Sequence, residues 1–510
     1  RSICAARLSG RRRYGTVRNL AVSWSLSPQE PCTPNRYVLQ RFQSSSVDRP
    51  PWWGSAGDVL QGFTKVAASP WSGLNQWEAK VTLHSDTPSA AQLRAATGCP
   101  VGATPAVGAP QRGATNRGQL LLRLANTGRD VVSYRIGAER NVLLNHPDHA
   151  QHVLGSNRDN YSKDTGANRY FRTEVADGIL TADGARWRWQ RTLLTPAFRD
   201  RQRLAATARK AIATLIARLD SVADTGREVN LSAAIAEVTL SITTRALFGM
   251  DHRLFIEHCA ALGRVLDDAN SLLPGPAAGV GPRDALYRQI RHAVSVSAPE
   301  DHGPALSALA GDPTHAGEAL HQQMVTLLLA GYETTANSLT WAWILLMHHP
   351  DVYAEWQHIL DSDPGRAAEL TKALFDETLR LYPSAWLLGR RALADDHVGG
   401  LPIPAGSAVT ISPYLLHRHP QFWDDAESFR PQRFLTGGAR PSHRYAYIPF
   451  GAGHRYCIGS SYARDEAAMI LTALGRRYTF RSAHATDARP EHKFVLRAPD
   501  PFLVTVCRRS

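Results

Sequence analysis

The chain has 510 residues, of which 43% are hydrophobic and 20% are charged, and its formal net charge is +13 at pH 7. This length can bury a large core, and the composition is typical of a globular protein, which excludes a disordered chain and a bundle of membrane helices. Nine arginines and only two acidic residues fall within residues 1–50, so the rest of the chain is mildly basic and no nucleic acid partner is expected.

The six cysteines predict neither a disulfide framework nor a zinc site. They are irregularly spaced and form no Cys-x-x-Cys pair, which is typical of a reducing compartment, and we expect a cytoplasmic protein. The chain has no run of 18 or more apolar residues, so we expect no transmembrane segment.

Residues 1–118 show little sustained periodicity, and Thr97–Gly118 is rich in Ala, Gly, Thr and Pro, which is typical of a linker. The chain starts at Arg1 and its first methionine is Met250. We interpret residues 1–118 as an atypical leader that is poorly ordered or non-native. An organelle-targeting peptide is the alternative, because the leader is rich in arginine and serine and poor in acids. The folded domain is predicted at residues 119–510.

The order of patterns along this domain predicts a mainly α fold with a small β portion. Hydrophobic periodicity, turn residues and prolines mark the segments. In chain order they are a leucine-rich helix at Gln119–Leu124, strands at Asp130–Ile136 and Asn141–Leu144, a helix from Pro147, a long helix at Glu318–His348, a β-rich section at Leu388–Ile411 and a strand pair within Phe494–Val506.

A glycine-rich segment around Cys457 carries the strongest chemical signal. It reads Phe-Gly-Ala-Gly-His-Arg-Tyr-Cys-Ile-Gly from Phe450 to Gly459. Its glycines allow backbone angles that a β-carbon would forbid, so the loop can press against a flat group. Phe450 can shield the sulfur, and Arg455 supplies a permanent positive charge. A haem with a cysteine thiolate on its iron requires these features, whereas a lone cysteine would be interpreted as a buried structural residue.

The long helix carries Ala-Gly-Tyr-Glu-Thr-Thr at residues 330–335, near its middle. A glycine inside a helix costs about 1 kcal/mol relative to alanine, and buried polar side chains cost more. One interpretation is a helix crossing with a solvated Glu333. The other is a groove at Gly331 where dioxygen lies on a haem, with Thr334 donating a hydrogen bond and Glu333 relaying protons.

Together these segments resemble those of the cytochrome P450 family. Residues 450–459 match the haem-binding loop of that family at each fixed position, and residues 330–335 match its oxygen-activation motif. Glu377 and Arg380 share a helix face, and with Arg433 they resemble the buried three-residue network of the family, to which we assign a structural role. The resemblance covers residues 119–510 and implies the cytochrome P450 fold.

The resemblance also implies a haem b cofactor with Cys457 as its iron ligand. Trp187 and Arg191, which are four residues apart on one helix, would then contact a haem propionate; the alternative for this segment is an amphipathic helix with a core tryptophan. Arg390 is favoured as a further propionate ligand, with Arg391 as the alternative. Arg455 and Phe450 complete the cofactor-binding residues.

The implied activity is that of a haem-thiolate monooxygenase, which inserts one oxygen atom from O2 into a hydrophobic small molecule by hydroxylation or epoxidation. Terpenoids, fatty acids and polyketides all remain open as substrates. The sequence has no room for a flavin or nicotinamide domain, so a separate ferredoxin with its reductase, or a flavoprotein, would donate electrons. We expect it to dock on the cysteine side, where His454, Arg455 and Lys372 add positive charge.

Two alternatives use the same haem differently: a peroxygenase or isomerase, and a haem protein without turnover. Both are disfavoured by Glu333 and Thr334, because neither needs a proton relay. One segment departs from the family pattern. Residues 251–304 look short for the two helices that cover the substrate pocket, which predicts a reduced lid or a missing segment.

Overall fold

The structure, a computed structural model, describes residues 117–136, 138–268, 280–315 and 317–509. Residues 1–116 lie outside the described residues, so the interpretation of residues 1–118 as an atypical leader stays a prediction. The first described helix begins at Arg117, and the predicted domain start at residue 119 stays a prediction as well.

Helices dominate the described residues, as predicted. The long predicted helix has the bounds expected from the sequence, because Pro350 cannot continue it and the hydrophobic pattern begins at residue 318. The helices are α1 (Arg117–Ala125), α2 (Pro147–Gln151), α3 (Gly166–Glu174), α4 (Gly184–Leu194), α5 (Arg201–Asp220), α6 (Leu231–Phe248), α7 (Ile256–Asp268), α8 (Val280–Val296), α9 (Pro304–Ala310), α10 (Glu318–His348), α11 (Pro350–Ser362), α12 (Pro364–Leu381), α13 (Pro413–Leu416) and α14 (Ser460–Arg477).

Short strands form the small β portion. They are β1 (Val131–Ile136), β2 (Glu139–Leu144), β3 (Tyr161–Ser162), β4 (Glu228–Asn230), β5 (Leu388–Ala392), β6 (Asp396–Val398), β7 (Leu401–Ile403), β8 (Ala408–Ile411), β9 (Tyr478–Arg481), β10 (Glu491–His492), β11 (Leu496–Arg497) and β12 (Leu503–Arg508). The largest sheet among the described residues has five strands in the order β1-β2-β8-β5-β3. The mainly α fold class is therefore confirmed.

The prediction of a strand pair within Phe494–Val506 is wrong in its pairing. Both strands exist, but β11 pairs with β10, while β12 pairs with β4 and β9. Alternation of apolar residues marks a strand and its buried face, but it carries little information about a partner that lies far away in the chain.

The sequence predicts a reduced lid or a missing segment within residues 251–304, but neither of the two expected helices is missing there. Two helices are present, α7 with 13 residues and α8 with 17 residues. Buried residues of both, including Leu262 and Ile290, belong to the same hydrophobic cluster as Leu328 of α10. Both helices are thus part of the folded core.

Helix α10 runs through the centre of this core and packs extensively against α6. It is apolar around most of its circumference, which is typical of a helix enclosed by other elements. At the crossing, a β-carbon on Gly331 would lie 2.9 Å from the Thr243 side chain. The glycine therefore lets the two helices approach closely, in addition to any role in the cavity beside it.

Helix α6 is the one helix of the described residues that is long and apolar enough to cross a membrane by composition, with a mean hydropathy of 1.3. Within the protein it is 72% buried. This degree of burial is typical of a helix in the core of a folded protein.

Helix α12 carries the predicted network. Its first turn is capped by Asp363, whose side chain accepts hydrogen bonds from the Gly365 and Arg366 amides. At its other end, Arg380 donates two hydrogen bonds to Glu377 at 2.7 and 2.8 Å, and both side chains are fully buried. The structural network inferred from the sequence is therefore present in the fold.

Candidate active site

A cavity lies between α10 and the segment that carries Cys457, with further walls from α4, α6, α12 and α14. Much of its surface is apolar, as at Leu327, Ala330 and Leu388. The lining includes seven of the eight residues that the sequence predicts for the site: Trp187, Arg191, Thr334, Arg390, Phe450, Arg455 and Cys457.

The segment around Cys457 is a tight loop with its sulfur directed at the cavity. The Cys457 amide donates to the Phe450 carbonyl at 3.0 Å. The Phe450 ring is covered on its outer side by the Arg464 guanidinium, 4.4 Å from the ring centroid. Gly453 has a φ of +67°, and a β-carbon there would overlap the Leu154 carbonyl oxygen. The second glycine of the motif is thus required by both backbone angle and space.

The surroundings of the sulfur act on its pKa in opposite directions. Burial raises the pKa of the Cys457 thiol, while a hydrogen bond from the Gly459 amide and the charges of Arg191 and Arg464 lower it. A metal ion at the sulfur would supply a stronger positive charge and favour the thiolate.

Three cationic side chains converge on one edge of the cavity. Lys163, Arg390 and Arg455 all line it. In addition to burial, the charges of Arg390 and Arg455 lower the pKa of Lys163, and the charge of Arg455 lowers the pKa of Arg390. Burial, followed by the charges of Arg390 and Arg455, lowers the pKa of Lys163 to about 7. Burial and the Arg455 charge lower the pKa of Arg390 to about 10. Such a cluster is costly to hold and indicates a site for an anion.

Asp183 is the acid that partly offsets these charges. One of its oxygens accepts a hydrogen bond from the Lys163 amide at 2.5 Å, and the other pairs with Arg455. Arg390 is 6% exposed, and its Nη1 donates only to the neighbouring Gly389 carbonyl. A carboxylate beside Arg390 would therefore meet unused donors.

The choice between Arg390 and Arg391 is clear in the geometry. Arg390 faces the cavity, whereas Arg391 pairs with Glu139 at 2.5 Å and donates to the Asp164 carbonyl at 2.6 Å. Consecutive residues of a strand point to opposite sides, so only one of the two can serve the cavity.

The expectation that Arg455 and His454 add charge to the docking face is wrong. The Arg455 side chain is 8% exposed, and its guanidinium lies 4.3 Å from the Trp187 ring centroid. His454 packs edge-on against Trp187 at 5.2 Å, and burial lowers its pKa. Both side chains are turned inward by the tight loop, which leaves Lys372 as the exposed member of the expected trio.

Thr334 and Glu333, although adjacent, face different surroundings. The Thr334 hydroxyl donates to the Ala330 carbonyl at 2.8 Å and lines the cavity. Glu333 is not among the lining residues; its carboxylate pairs with Arg497 of β11 at 2.6 Å. Arg497 also reaches the Gly263 carbonyl of α7 at 3.4 Å. Glu333, which the sequence predicts as a proton relay, is therefore held in an ion pair beside α7. We call α7 the lid helix, because it lies within residues 251–304, where the sequence predicts the lid.

Three residues of this site were missed by the sequence reasoning. Lys163 follows a two-residue strand without a motif, Arg497 lies in a short hairpin strand, and Glu466 lies inside the helix that follows the cysteine loop. A lone basic or acidic residue in such positions is ordinarily a surface residue. Only the tertiary fold shows that each one is enclosed.

The lining residues fit a haem. A sulfur donor at the centre suits iron, cationic side chains at one edge suit two carboxylates, and apolar walls suit the macrocycle. The unpaired donors of Arg390 are the observation that favours an anionic ligand over a purely apolar one.

Comparison with known proteins gives the class to which this fold and site belong. A family model described as Cytochrome P450 matches residues 101–272 and 310–506. The chain belongs to the cytochrome P450 family, with a haem cofactor, and is a haem-thiolate monooxygenase that acts on hydrophobic small molecules. The unmatched stretch contains most of the region in which the sequence departs from the family pattern.

Individual relatives are similar over most of their length. Cyclooctatin synthase of Streptomyces melanosporofaciens is 34% identical over 72% of this chain and 87% of its own. Protein LUTEIN DEFICIENT 5, chloroplastic, of Arabidopsis thaliana is 30% identical over 73% of this chain and 71% of its own. Cyclooctat-9-en-7-ol 5-monooxygenase of the same Streptomyces is 31% identical over 70% of this chain and 84% of its own.

The cysteine loop offers a matched pair of substitutions. Gly451 and Gly453 both have positive φ, but a β-carbon on Gly451 meets nothing within 4 Å. Gly451→Ala should cost only backbone strain, about 1 kcal/mol. Gly453→Ala should cost several kcal/mol more and abolish haem incorporation, because the loop must move off Leu154. Melting temperature and the ratio of haem absorbance to protein absorbance measure both. Equal effects of the two substitutions would contradict the close approach.

Proposed function

We propose that this protein binds haem b in the cavity, where Cys457 would supply the thiolate ligand of the iron and Phe450 would pack beside the sulfur. The observation that carries the proposal is the position of the sulfur in a largely apolar cavity whose edge holds three cationic side chains that Asp183 only partly offsets. When bound, the haem supplies the activation of dioxygen. The residues of this chain bind it, orient the substrate, exclude water and hold protons.

The propionates are proposed to lie against Arg390, Arg455 and Lys163, with Trp187 and Arg191 beside them. The Arg191 Nη1 donates to the Tyr456 carbonyl at 2.7 Å, so Arg191 also fixes the outer side of the cysteine loop. Charge-assisted hydrogen bonds of this kind are stronger than neutral ones and fix geometry.

Glu333 and Thr334 are proposed to deliver protons. The Thr334 hydroxyl already faces the cavity, and its hydrogen bond to Ala330 can be exchanged for one to a ligand. Glu333 must leave Arg497 to reach the same space. Because Arg497 also contacts α7, the position of the lid helix and the availability of Glu333 are coupled.

The substrate class that we propose is terpenoid, from among the three classes that the sequence leaves open. The cavity walls include the branched apolar side chains of Ile179, Leu180 and Leu388, and such walls suit a compact hydrocarbon skeleton. Relatives named for cyclooctatin and cyclooctat-9-en-7-ol support the same class. Fatty acids and polyketides are the substrates to compare in a binding assay.

The electron donor is proposed to be a separate ferredoxin or flavoprotein, with the protein acting in the cytoplasm. Arg188 is exposed on α4, and Arg191 and Arg464 lie partly exposed near Tyr456 on the outer side of the cysteine loop. These arginines replace Arg455 and His454 as the positive face for an acidic partner.

The proposed iron ligand is tested by the reduced carbon-monoxide difference spectrum of purified protein. Wild type should show the strongly red-shifted Soret band of thiolate ligation. Cys457→Ala should lose that band while keeping its fold, because the side chain lines the cavity and the substitution removes only the sulfur's hydrogen bond from the Gly459 amide, while the backbone bond to Phe450 remains. A wild-type band typical of histidine or protonated thiol ligation would contradict the proposal.

The proposed propionate ligand is tested by two adjacent substitutions of equal chemistry. Arg390→Met should weaken haem binding about tenfold to a hundredfold, since a hydrogen bond to a charged group contributes about 1.5–3 kcal/mol. Arg391→Met should leave haem affinity unchanged, because its partners lie outside the cavity. Haem titration of the apoprotein measures both. A larger effect from Arg391→Met would overturn the assignment.

The monooxygenase function is separated from the peroxygenase alternative by Thr334→Ala. With NADPH, oxygen and surrogate redox proteins, the fraction of NADPH used for product should fall about a hundredfold, because a proton donor is lost. With hydrogen peroxide as the only oxidant, product formation by the same variant should be little changed. Full retention of NADPH coupling would contradict the relay.

A further inference from the structure

Glu466 of α14 is a buried acid without a basic partner. Its side chain is 1% exposed and lines the cavity. Its Oε1 has no hydrogen-bond partner among the described residues. The other buried acids of the site differ, since Glu377 pairs with Arg380 and Glu333 pairs with Arg497. An unsatisfied buried carboxyl group requires an explanation.

Two further unpartnered hydroxyl groups line the same cavity. Tyr462 lies one helical turn before Glu466 on α14, and Thr243 lies on α6 where that helix crosses Gly331. Neither the Tyr462 hydroxyl nor the Thr243 Oγ1 has a hydrogen-bond partner among the described residues. Buried waters typically bind where two to four such groups face one space, and all three side chains line the same cavity.

The protonation state of Glu466 follows from its surroundings. Burial raises the pKa of Glu466 well above its usual value, and no basic group offsets this. The ionisable group that faces it is Tyr462, whose own pKa is raised by burial and by Glu466 and is lowered by Arg203. Burial therefore favours the neutral carboxylic acid at Glu466, whereas Glu333 is held in an ion pair with Arg497.

We propose that Glu466, with Tyr462 and Thr243, forms a second proton-donating site that holds water between α6, α10 and α14. The proton leaves the Glu466 carboxyl group, passes to the bound water, and is carried toward the Thr334–Thr335 segment of α10, which lines the same cavity. Solvent returns a proton to the carboxylate before the next cycle, so no redox change is involved. This proposal rests on the proposed monooxygenase function.

The protein would then have two sources of protons, of which only one depends on the position of the lid helix. Glu333 is available only when its ion pair with Arg497 opens, and that pair contacts the lid helix through Gly263. Glu466 has no such restraint and lies on a different helix. Proton delivery from it is therefore independent of the lid.

The first test is infrared spectroscopy of the resting holoenzyme in H2O and D2O. Wild type at pH 7 should show the carbonyl stretch of a protonated carboxylic acid, shifted in D2O. Glu466→Gln should lose this band, and Glu333→Gln should keep it. A wild type without the band at pH 7, or a band that remains in Glu466→Gln, overturns the proposal. This readout does not depend on turnover.

The second test measures the product formed per NADPH in Glu466→Gln. We expect a fall of roughly tenfold, which is smaller than the roughly hundredfold or greater cost of losing a sole proton donor because Glu333 remains, with an unchanged carbon-monoxide spectrum. Should this variant fail to fold, Tyr462→Phe and Thr243→Val each remove one water ligand and should shift the infrared band without removing it. Unchanged coupling in a folded Glu466→Gln, or an unshifted band in both hydroxyl variants, overturns the proposal. A wild type without the thiolate spectrum would instead reject the proposed function.

Discussion

The buried carboxylate of Glu377 is the interaction on which the rest of the site depends. It accepts two hydrogen bonds from Arg380, one from the Arg430 amide at 2.9 Å and one from Arg433 at 3.4 Å. The remaining guanidinium donors of Arg380 reach the carbonyls of His417, Ala426 and Ser428. A buried ion pair of this kind adds little net stability, but the loss of one member leaves a buried charge without a partner. Its effect is to fix one arrangement of several chain segments.

His417 carries this arrangement to the cysteine loop. It is fully buried, and burial lowers its pKa to about 3, so the ring is neutral. Its Nδ1 bonds the Arg380 carbonyl at 3.1 Å, and its Nε2 accepts from the Ile448 amide at 2.9 Å. Ile448 precedes Phe450 by two residues. One neutral histidine thus joins the end of α12 to the start of the loop that holds Cys457.

The sequence was sufficient where chemistry is encoded locally. The loop from Phe450 to Gly459 and the helix Glu318–His348 follow from glycine angles, proline stops and hydrophobic periodicity, and the structure places both at one cavity. The sequence was insufficient for predicting which of two directions a side chain takes. Arg455 was expected to face both haem and partner, and its pairing with Asp183, twenty residues after Lys163, could not be read from either segment.

Ion-pair partners that lie far apart in the chain could not be predicted from the sequence either. The ion pair of Glu333 with Arg497 spans 164 positions, and no local pattern marks it. Glu466 was hidden for a different reason. An acid within an amphipathic helix is normally solvated, and only the packing of α14 beneath the cavity makes this one an exception. The cofactor loop and Glu333 were therefore predictable from the sequence, while the partner of Glu333 and the burial of Glu466 were not.

If the propionates lie against Lys163, Arg390 and Arg455 as proposed, cofactor loading is coupled to proton binding. In the protein alone, burial and its cationic neighbours bring the pKa of Lys163 to about 7, so this amine carries its proton only part of the time at neutral pH. A carboxylate placed beside it favours the charged form and raises that pKa. Haem entry in the proposed complex therefore takes up a fraction of a proton near neutrality. By thermodynamic linkage, mild acidity then favours the loaded form until the amine is fully charged in both states.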